Sequence, residues 1–386
     1  MKKFPQIQIP PELLIGGYYD DDVNIIVGEN GSGKSMLLNS VSEFFTDRNQ
    51  NVIAIANTIY DKFKISSKKL NILRASNGKN AASRILMKAF TTLANENLRQ
   101  LFTIATTLEY IGFEPIIGIR IAGVDVDFRE KVIQSDLDGH KMESLLIYLN
   151  RSADEAVSDN RVAKIYLGQK VFPDILNEFL LLIFSFYSEL KRKKLITGIE
   201  LFLYKDGKEL SVKDASSGEL TMITSLVFIA STIKEKSIIL VDEPENSLHP
   251  KWQIEYVKKI TELFYFYQPK IIIATHSPLI TNGAELSNKS VKIFKGKEGY
   301  FQLQRNNKVN IEEVYQKYFD LTTPENRFLS EFVIDNMNKL AGKEISTEEF
   351  DGVMTNIKEN SYDQKQKDII NQLIKAGKEI VKEIEK

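Results

Sequence analysis

The segment that most limits what this chain can fold into lies near its start: Gly28-Glu29-Asn30-Gly31-Ser32-Gly33-Lys34-Ser35. A short β-rich run, Val23-Asn24-Ile25-Ile26-Val27, leads into it. An apolar helical run through Met36, Leu37, Leu38, Val41, Phe44 and Phe45 follows it. Strand, G-x-x-x-x-G-K-[ST] loop and helix, in that order, form a polyphosphate cradle. The glycines let the backbone wrap closely, so that the N–H groups of Asn30, Gly31, Ser32 and Gly33 converge on one anion. The helix that follows adds its unpaired N-terminal donors and the positive end of its dipole. In such a cradle Lys34 reaches the β- and γ-phosphates, and the Ser35 hydroxyl ligates Mg2+. The segment predicts an α/β chain that binds a nucleoside triphosphate.

A second cluster lies far downstream. Ser237-Ile238-Ile239-Leu240-Val241 is a continuous apolar run, as expected of a parallel strand buried on both faces, and it ends in Asp242-Glu243-Pro244-Glu245. Carboxylates at the C-terminal end of such a strand face the ligand crevice. Asp242 is the candidate to hold the magnesium through water, and Glu243 the candidate to polarise the attacking water. A third run, Lys270-Ile271-Ile272-Ile273-Ala274-Thr275, ends at His276-Ser277-Pro278. A histidine placed there contacts the γ-phosphate or the water.

The totals exclude other chemistries. There is no cysteine, so disulfides, thiolate zinc sites and cysteine nucleophiles are ruled out. The three histidines, His140, His249 and His276, are too few for a histidine metal cluster. With 51 basic and 52 acidic side chains, the charge balance does not advertise a nucleic-acid binder, although a local basic face fits within it. Met1-Lys2-Lys3-Phe4-Pro5 has no apolar run behind it, and the densest apolar stretch, residues 179–187, is too short to cross a bilayer. A soluble cytoplasmic chain with no membrane partner is expected.

Taken together, these segments resemble the ABC ATPase superfamily: Walker A (Gly28 to Ser35), signature, Walker B (Ile238 to Glu243), D-loop and H-loop (His276). The signature candidate is Ala215-Ser216-Ser217-Gly218-Glu219-Leu220, just upstream of Walker B and followed by an apolar helix from Met222 to Ile233. It departs from L-S-G-G-Q at Ala215, Ser217 and Glu219. The S-S-G-E form resembles the branch holding RecF-like, SMC-like and OLD-like (overcoming lysogenisation defect) ATPases. Asp242-Glu243-Pro244-Glu245-Asn246-Ser247-Leu248-His249-Pro250 is similar to the D-E-P-E-x-x-L-H-P of the OLD-like group, and Thr275-His276-Ser277-Pro278 to its T-H-S-P. The resemblance implies an ABC-type head with a mainly parallel central sheet, an antiparallel β lobe and a helical insertion. It also implies a homodimer or higher oligomer with composite ATP sites, in which Ser216 and the backbone at Gly218 contact the γ-phosphate held by the other protomer. ATP hydrolysis would then loosen the two heads. OLD-like nucleases carry a Toprim domain after the ATPase; its D-x-D carboxylates are not found after position 282, so the chain resembles the ATPase half alone. Stand-alone ATPases of the Septu type act beside a separate effector in bacterial anti-phage systems. A nuclease effector is the partner this implies, with a DNA-repair ATPase of the RecF or SMC sort, binding nucleic acid directly, as the rival.

Elsewhere the pattern thins. The family's Q-loop glutamine is replaced by Asn57 after the run Val52-Ile53-Ala54-Ile55-Ala56. Asn57 has the amide chemistry with a shorter reach, and a strand-end turn is the alternative. Tyr18 or Tyr19 offers a ring for adenine, or simple packing. The expected layout is a head of residues 1–61 and 201–305, an insertion lobe of 62–200 and a helical region of 306–386. Within the lobe, residues 81–111 and 140–192 read helical. Residues 116–121 and 124–128 alternate like a hairpin about Ala122-Gly123, with Asp125 and Asp127 on its solvated face or, alternatively, at a metal. Lys191-Arg192-Lys193-Lys194 reads as a helix-end cap or a DNA-backbone contact. Two more hairpins are expected around Lys205-Asp206-Gly207-Lys208 and Gly296-Lys297-Glu298-Gly299. Ser346-Thr347-Glu348-Glu349 reads as a capping box, and residues 362–386 as an amphipathic helix.

Overall fold

The computed structural model describes residues 7–15, 22–58, 62–64, 67–74, 83, 85–87, 98–123, 128–134, 162–167, 186–246, 248–287, 290–304, 318, 335–342, 344–359, 367–368 and 371–375. The chain divides into two compact units, Met1–Asn306 and Asn307–Lys386.

The continuous apolar runs of the first unit become a seven-stranded sheet. Its strands are β1 (Asp22–Gly28), β2 (Val52–Ala56), β3 (Leu70–Arg74), β8 (Ile238–Asp242), β9 (Lys270–Thr275), β10 (Lys292–Lys297) and β11 (Tyr300–Gln304), in the order β11-β10-β1-β9-β8-β2-β3. All neighbours run parallel except β10 and β11, which form a hairpin. Parallel strands need both faces covered, and the residue pattern supplies both. The even-numbered residues Ile26, Ala54, Ala56, Leu240, Ile272 and Ala274 form a core with Leu37, Leu38, Val41 and Phe45 of helix α2 (Lys34–Asp47). Alternation sends the odd-numbered Ile25, Ile55, Val241 and Ile273, all fully buried, to the other face. On that side α7 (Pro278–Ser287) touches β1, and α5 (Ser217–Thr232) touches β2 and β3.

A second, antiparallel sheet has the order β5-β4-β6-β7, from β4 (Ile116–Ala122), β5 (Ala163–Tyr166), β6 (Gly198–Lys205) and β7 (Lys208–Ser211). Three further helices complete the labelled elements of this unit: α3 (Leu98–Ile111), α4 (Phe128–Ile133) and α6 (Pro250–Phe264), with the short α1 (Pro11–Leu14) ahead of β1. Helix α3 packs on α5 and α6. Lys259 ties α3 to α6 by donating to the Tyr110 carbonyl at 2.9 Å while its ammonium lies 3.9 Å from the Tyr110 ring centre.

Several expectations need correction. The second arm of the hairpin expected about Ala122-Gly123, residues 124–127, lies outside the described residues; β4 itself has β5 on one edge and β6 on the other, and Phe128 opens α4. Gly123, at φ 58, turns the chain beside Thr197, whose N–H donates to the Ala122 carbonyl. The helical assignment for 140–192 is broken by β5, a four-residue edge strand. β3, within the span expected as insertion, is an edge strand of the central sheet. Asp125, Asp127, Tyr18, Tyr19 and residues 179–185 lie outside the described residues. The basic knot sits at a helix end: the Lys193 N–H donates to the Glu189 carbonyl and Lys194 takes φ 58. In the second unit, Ser346 caps α8 (Thr347–Glu359) reciprocally with Glu349, and Leu340, Phe350 and Met354 form a small core. Among the described residues, no helix is long and apolar enough to cross a membrane.

Helices α6 and α7 meet at Gly283, where an added Cβ would collide with the backbone carbonyl of Ile254. Backbone cannot yield as a flexible side chain does. Gly283→Ala should therefore destabilise the first unit by about 1–3 kcal/mol, measured as a lower urea midpoint at unchanged slope.

Candidate functional site: a phosphate cradle at the carboxyl edge of the sheet

Strand register brings the site together. Ala56 pairs with Asp242, Asp242 with Ala274, and Ala274 with Ile26. The next one or two residues along each strand are therefore neighbours: Asn57 after β2, Glu243 after β8, His276 after β9, and the glycine loop after β1. Residues more than two hundred positions apart share one crevice at the carboxyl edge.

The cradle needs its glycines. Gly28, Gly31 and Gly33 take φ values of 156°, 84° and 97°. A Cβ on Gly28 would lie 2.6 Å from the Gly296 carbonyl oxygen and 2.8 Å from Ser32 Oγ. The β10–β11 turn braces the loop, since the Gly299 N–H donates to the Ser32 carbonyl at 3.0 Å. Gly33 caps α2, so the first N–H groups of a 14-residue helix open toward the loop. Lys34 is only 5% exposed, and its ammonium donates to the carbonyls of Gly28 (2.7 Å) and Glu29 (3.2 Å). A lysine has three N–H donors, which leaves one for an anion. Burial lowers the Lys34 pKa, while Glu243, Asp242 and Glu245 work against that.

Asp242 carries the strongest evidence for a cation. It is fully buried, and neither oxygen makes a hydrogen bond of good geometry. Burial pushes its pKa up to about 6; the nearby Ser35 hydroxyl pulls it down, Glu243 pushes it up, Lys34 lowers it and Glu245 raises it again. A buried carboxylate without partners is costly unless an ion pairs with it. The donor set, a hydroxyl and a carboxylate with room for water, is the oxygen chemistry that Mg2+ prefers. A divalent cation held by Ser35 and, through water, by Asp242 would neutralise charge on the β- and γ-phosphates.

Glu243 sits where the chain leaves β8 with φ 50, its N–H bonded to the Ala274 carbonyl at 2.8 Å. Asn246 Nδ2 donates to Glu243 Oε2 (3.2 Å) and to the Asn57 carbonyl (3.4 Å). Asn57 donates its N–H to the Asp242 carbonyl at 3.2 Å, and its buried Nδ2 has no partner. The ring of His276 is 44% exposed, with Nδ1 at 3.0 Å from Glu245 Oε1 and 3.5 Å from Glu243 Oε1. The bond to Glu245 raises the His276 pKa; partial burial opposes this, and the charges of Glu245 and Glu243 add to the rise. Sequence reasoning quoted Glu245 and Asn246 within a motif but gave Glu245 no role. The available signal was a second carboxylate two residues after the first.

Ser216 and Gly218 line a groove whose described walls hold none of the cradle residues. Ser216 is the N-cap of α5: its hydroxyl accepts from the Glu219 N–H (3.3 Å) and donates to Glu219 Oε2 (2.8 Å), while Lys205 holds Glu219 Oε1 at 2.8 Å. Glu219 thus closes a capping box, which is what the departure from Gln does locally. Ser216, Gly218 and Glu219 line an open groove of about 680 Å3 with Leu248, His249, Lys251 and Trp252. No described residue of the cradle lines it.

Comparison with known families gives a match over residues 126–282 to AAA domain, putative AbiEii toxin, Type IV TA system. That span holds the α5 cap, Asp242, Glu243 and His276 and excludes the glycine loop. Over 116 residues the chain is 30% identical to the Retron Vc95 probable ATPase of Vibrio cholerae serotype O1 biovar El Tor, covering 27% of this chain and 22% of that protein. Over 285 residues it is 21% identical to Protein ea59 of Escherichia phage lambda, covering 72% of this chain and 49% of that protein. The chain thus spans at most about half the length of these curated relatives. The Smc head domain of Pyrococcus furiosus overlays 74% of this chain and 90% of that one at TM-score 0.28 and 12% identity.

Asp242 gives a test with a definite sign. Its folded pKa is raised, so the stability it lends is fully present below the ordinary value of 3.8 and is lost as pH rises through about 6. A shift of that size corresponds to about 3 kcal/mol. Asp242→Asn should therefore stabilise the nucleotide-free protein at pH 8 by up to that amount and by about half as much at pH 5, read by urea denaturation. The variant should also lose the rise in Tm that Mg-ATP gives the wild type. The glycine cradle, its buried lysine and the carboxylate-tipped strand beside it give this chain the α/β fold and phosphate loop of a P-loop nucleotide-binding domain, and its residues 126–282 are similar to the AAA domain family.

Proposed function

We propose that the chain hydrolyses ATP and uses it as a nucleotide-gated dimeric switch for a separate effector, a nuclease, in bacterial anti-phage defence. The observation that carries the ATPase part is the partnerless, fully buried Asp242 carboxylate beside Ser35 and Lys34. The backbone N–H groups of Asn30, Gly31 and Gly33 and the third Lys34 hydrogen bind the β- and γ-phosphates, joined by the Ser32 N–H once it leaves the Glu29 carbonyl, to which it donates at 3.1 Å. Glu243, aimed by Asn246, takes a proton from a water whose oxygen bonds to the γ-phosphorus as the bond to the bridging oxygen breaks, giving ADP and phosphate. The His276 ring stands at the same end, beside Glu243.

The dimeric part is supported by the lining of the groove at the α5 N-terminus. Ser216 and Gly218 face an open groove whose described walls hold none of the cradle residues. A second copy would bring its bound γ-phosphate to that groove, where the α5 N-terminus offers donors. Glu219, already neutralised by Lys205, would lie beside that phosphate. The defence setting rests on the resemblance to OLD-like and Septu-type ATPases and on the similarity to a protein named as a retron ATPase.

Glu243→Gln keeps the cradle and removes the base, so its turnover should fall about 100-fold or more while ATP still binds. Light scattering of this variant should show the mass doubling on adding Mg-ATP, and Ser216→Arg in the same background should prevent it. Unchanged mass with nucleotide bound would remove the dimeric part and leave the ATPase part standing. Trp252, the sole tryptophan, lies in the groove, so its fluorescence should change with Mg-ATP in Glu243→Gln and stay fixed once Ser216→Arg is added.

A further inference from the structure

Glu245 is a titratable group that the scheme above does not use, and its placement is costly. It is 8% exposed, at the turn between β8 and α6, and its Oε2 has no partner. The hydroxyl of Tyr256, on the adjoining face of α6, is likewise buried and unpaired, so the surroundings offer Glu245 little compensation. What Glu245 does have is concentrated on one oxygen. Oε1 accepts from the backbone N–H of His276 at 2.6 Å and lies 3.0 Å from His276 Nδ1. One carboxylate oxygen thus grips both the backbone and the ring of the same residue. Two donors on one acceptor fix where the residue sits and how its ring turns. Glu243 Oε1 lies at 3.5 Å from the same Nδ1, too long for a good hydrogen bond, so it does not replace Glu245.

We propose that Glu245 is a positioning residue: it holds the proton on His276 Nδ1 and so presents Nε2 as the ring nitrogen that meets the nucleotide. The logic is that of a histidine whose outward nitrogen is selected by the hydrogen bond its other nitrogen makes. A neutral imidazole in water favours the Nε2–H form; a carboxylate on Nδ1 reverses the choice. The catalytic consequence rests on the ATPase reading, whereas the proton's location does not.

The test uses the full chain with 15N-labelled histidine, which gives three ring systems, and His276→Gln assigns the one of interest. In the wild type the His276 ring should show a protonated Nδ1. Glu245→Ala should move that ring toward the Nε2–H pattern, with His140 and His249 unchanged as a control for folding. Its kcat should fall about 10- to 100-fold at near-constant KM for ATP. Glu245→Gln keeps an acceptor oxygen for both donors, so it should retain the Nδ1–H pattern and most of kcat. The proposal is overturned if the Glu245→Ala ring keeps the wild-type pattern, if kcat is unaffected, or if Glu245→Gln is as impaired as Glu245→Ala. A wild type that hydrolyses no ATP would sink the ATPase reading instead, and the ring spectra would still decide where the proton sits.

Discussion

The in-register parallel pairing of four strands is the constraint on which everything else depends. β2, β8, β9 and β1 end level with one another, and each end delivers a different chemical group: an amide, two carboxylates, an imidazole and a ring of backbone donors. A slip of one residue in β8 against β9 would turn every side chain of that strand to the opposite face. Leu240, packed under α2, and Val241, on the other side, would exchange layers. The hydrophobic cores on the two faces therefore set the site's geometry, and the chemistry inherits a precision already enforced by packing.

That dependence explains what was legible in the sequence. Buried parallel strands are continuous apolar runs, and β2 and β9 begin and end where the sequence places them. The phosphate loop was legible because close backbone approach demands glycine at fixed spacing. Edge strands were not. β3 carries Asn71 and Arg74, and β5 is four residues long, so neither shows a run or a clean alternation. The alternation of β4 showed that it is extended, but its described partners, β5 and β6, lie about 40 or more residues further along the chain. Local pattern registers that a segment is extended; it does not register which strand lies alongside.

The site residues divide in the same way. Lys34, Ser35, Asp242, Glu243 and His276 could be picked out because each sits at the tip of a recognisable strand or loop. Glu245 and Asn246 act on those residues through side-chain bonds across the crevice, and no spacing rule encodes such bonds. Ser216 shows a further limit. Its motif could be read from the sequence, but not that its hydroxyl is bonded to Glu219 within its own helix. Any partner that recruits this hydroxyl has to compete with that bond.

The brace on the phosphate loop comes from strand residues near position 300: the Gly296 carbonyl stands against Gly28, and the Gly299 N–H ties Ser32. The stretch matched by the known family ends at residue 282. A fragment cut at that point would keep every acid, base and phosphate donor assigned above and yet lose the wall that shapes the loop. Chemical inventory and mechanical support thus have different boundaries in this chain, and the smallest working unit is set by the support.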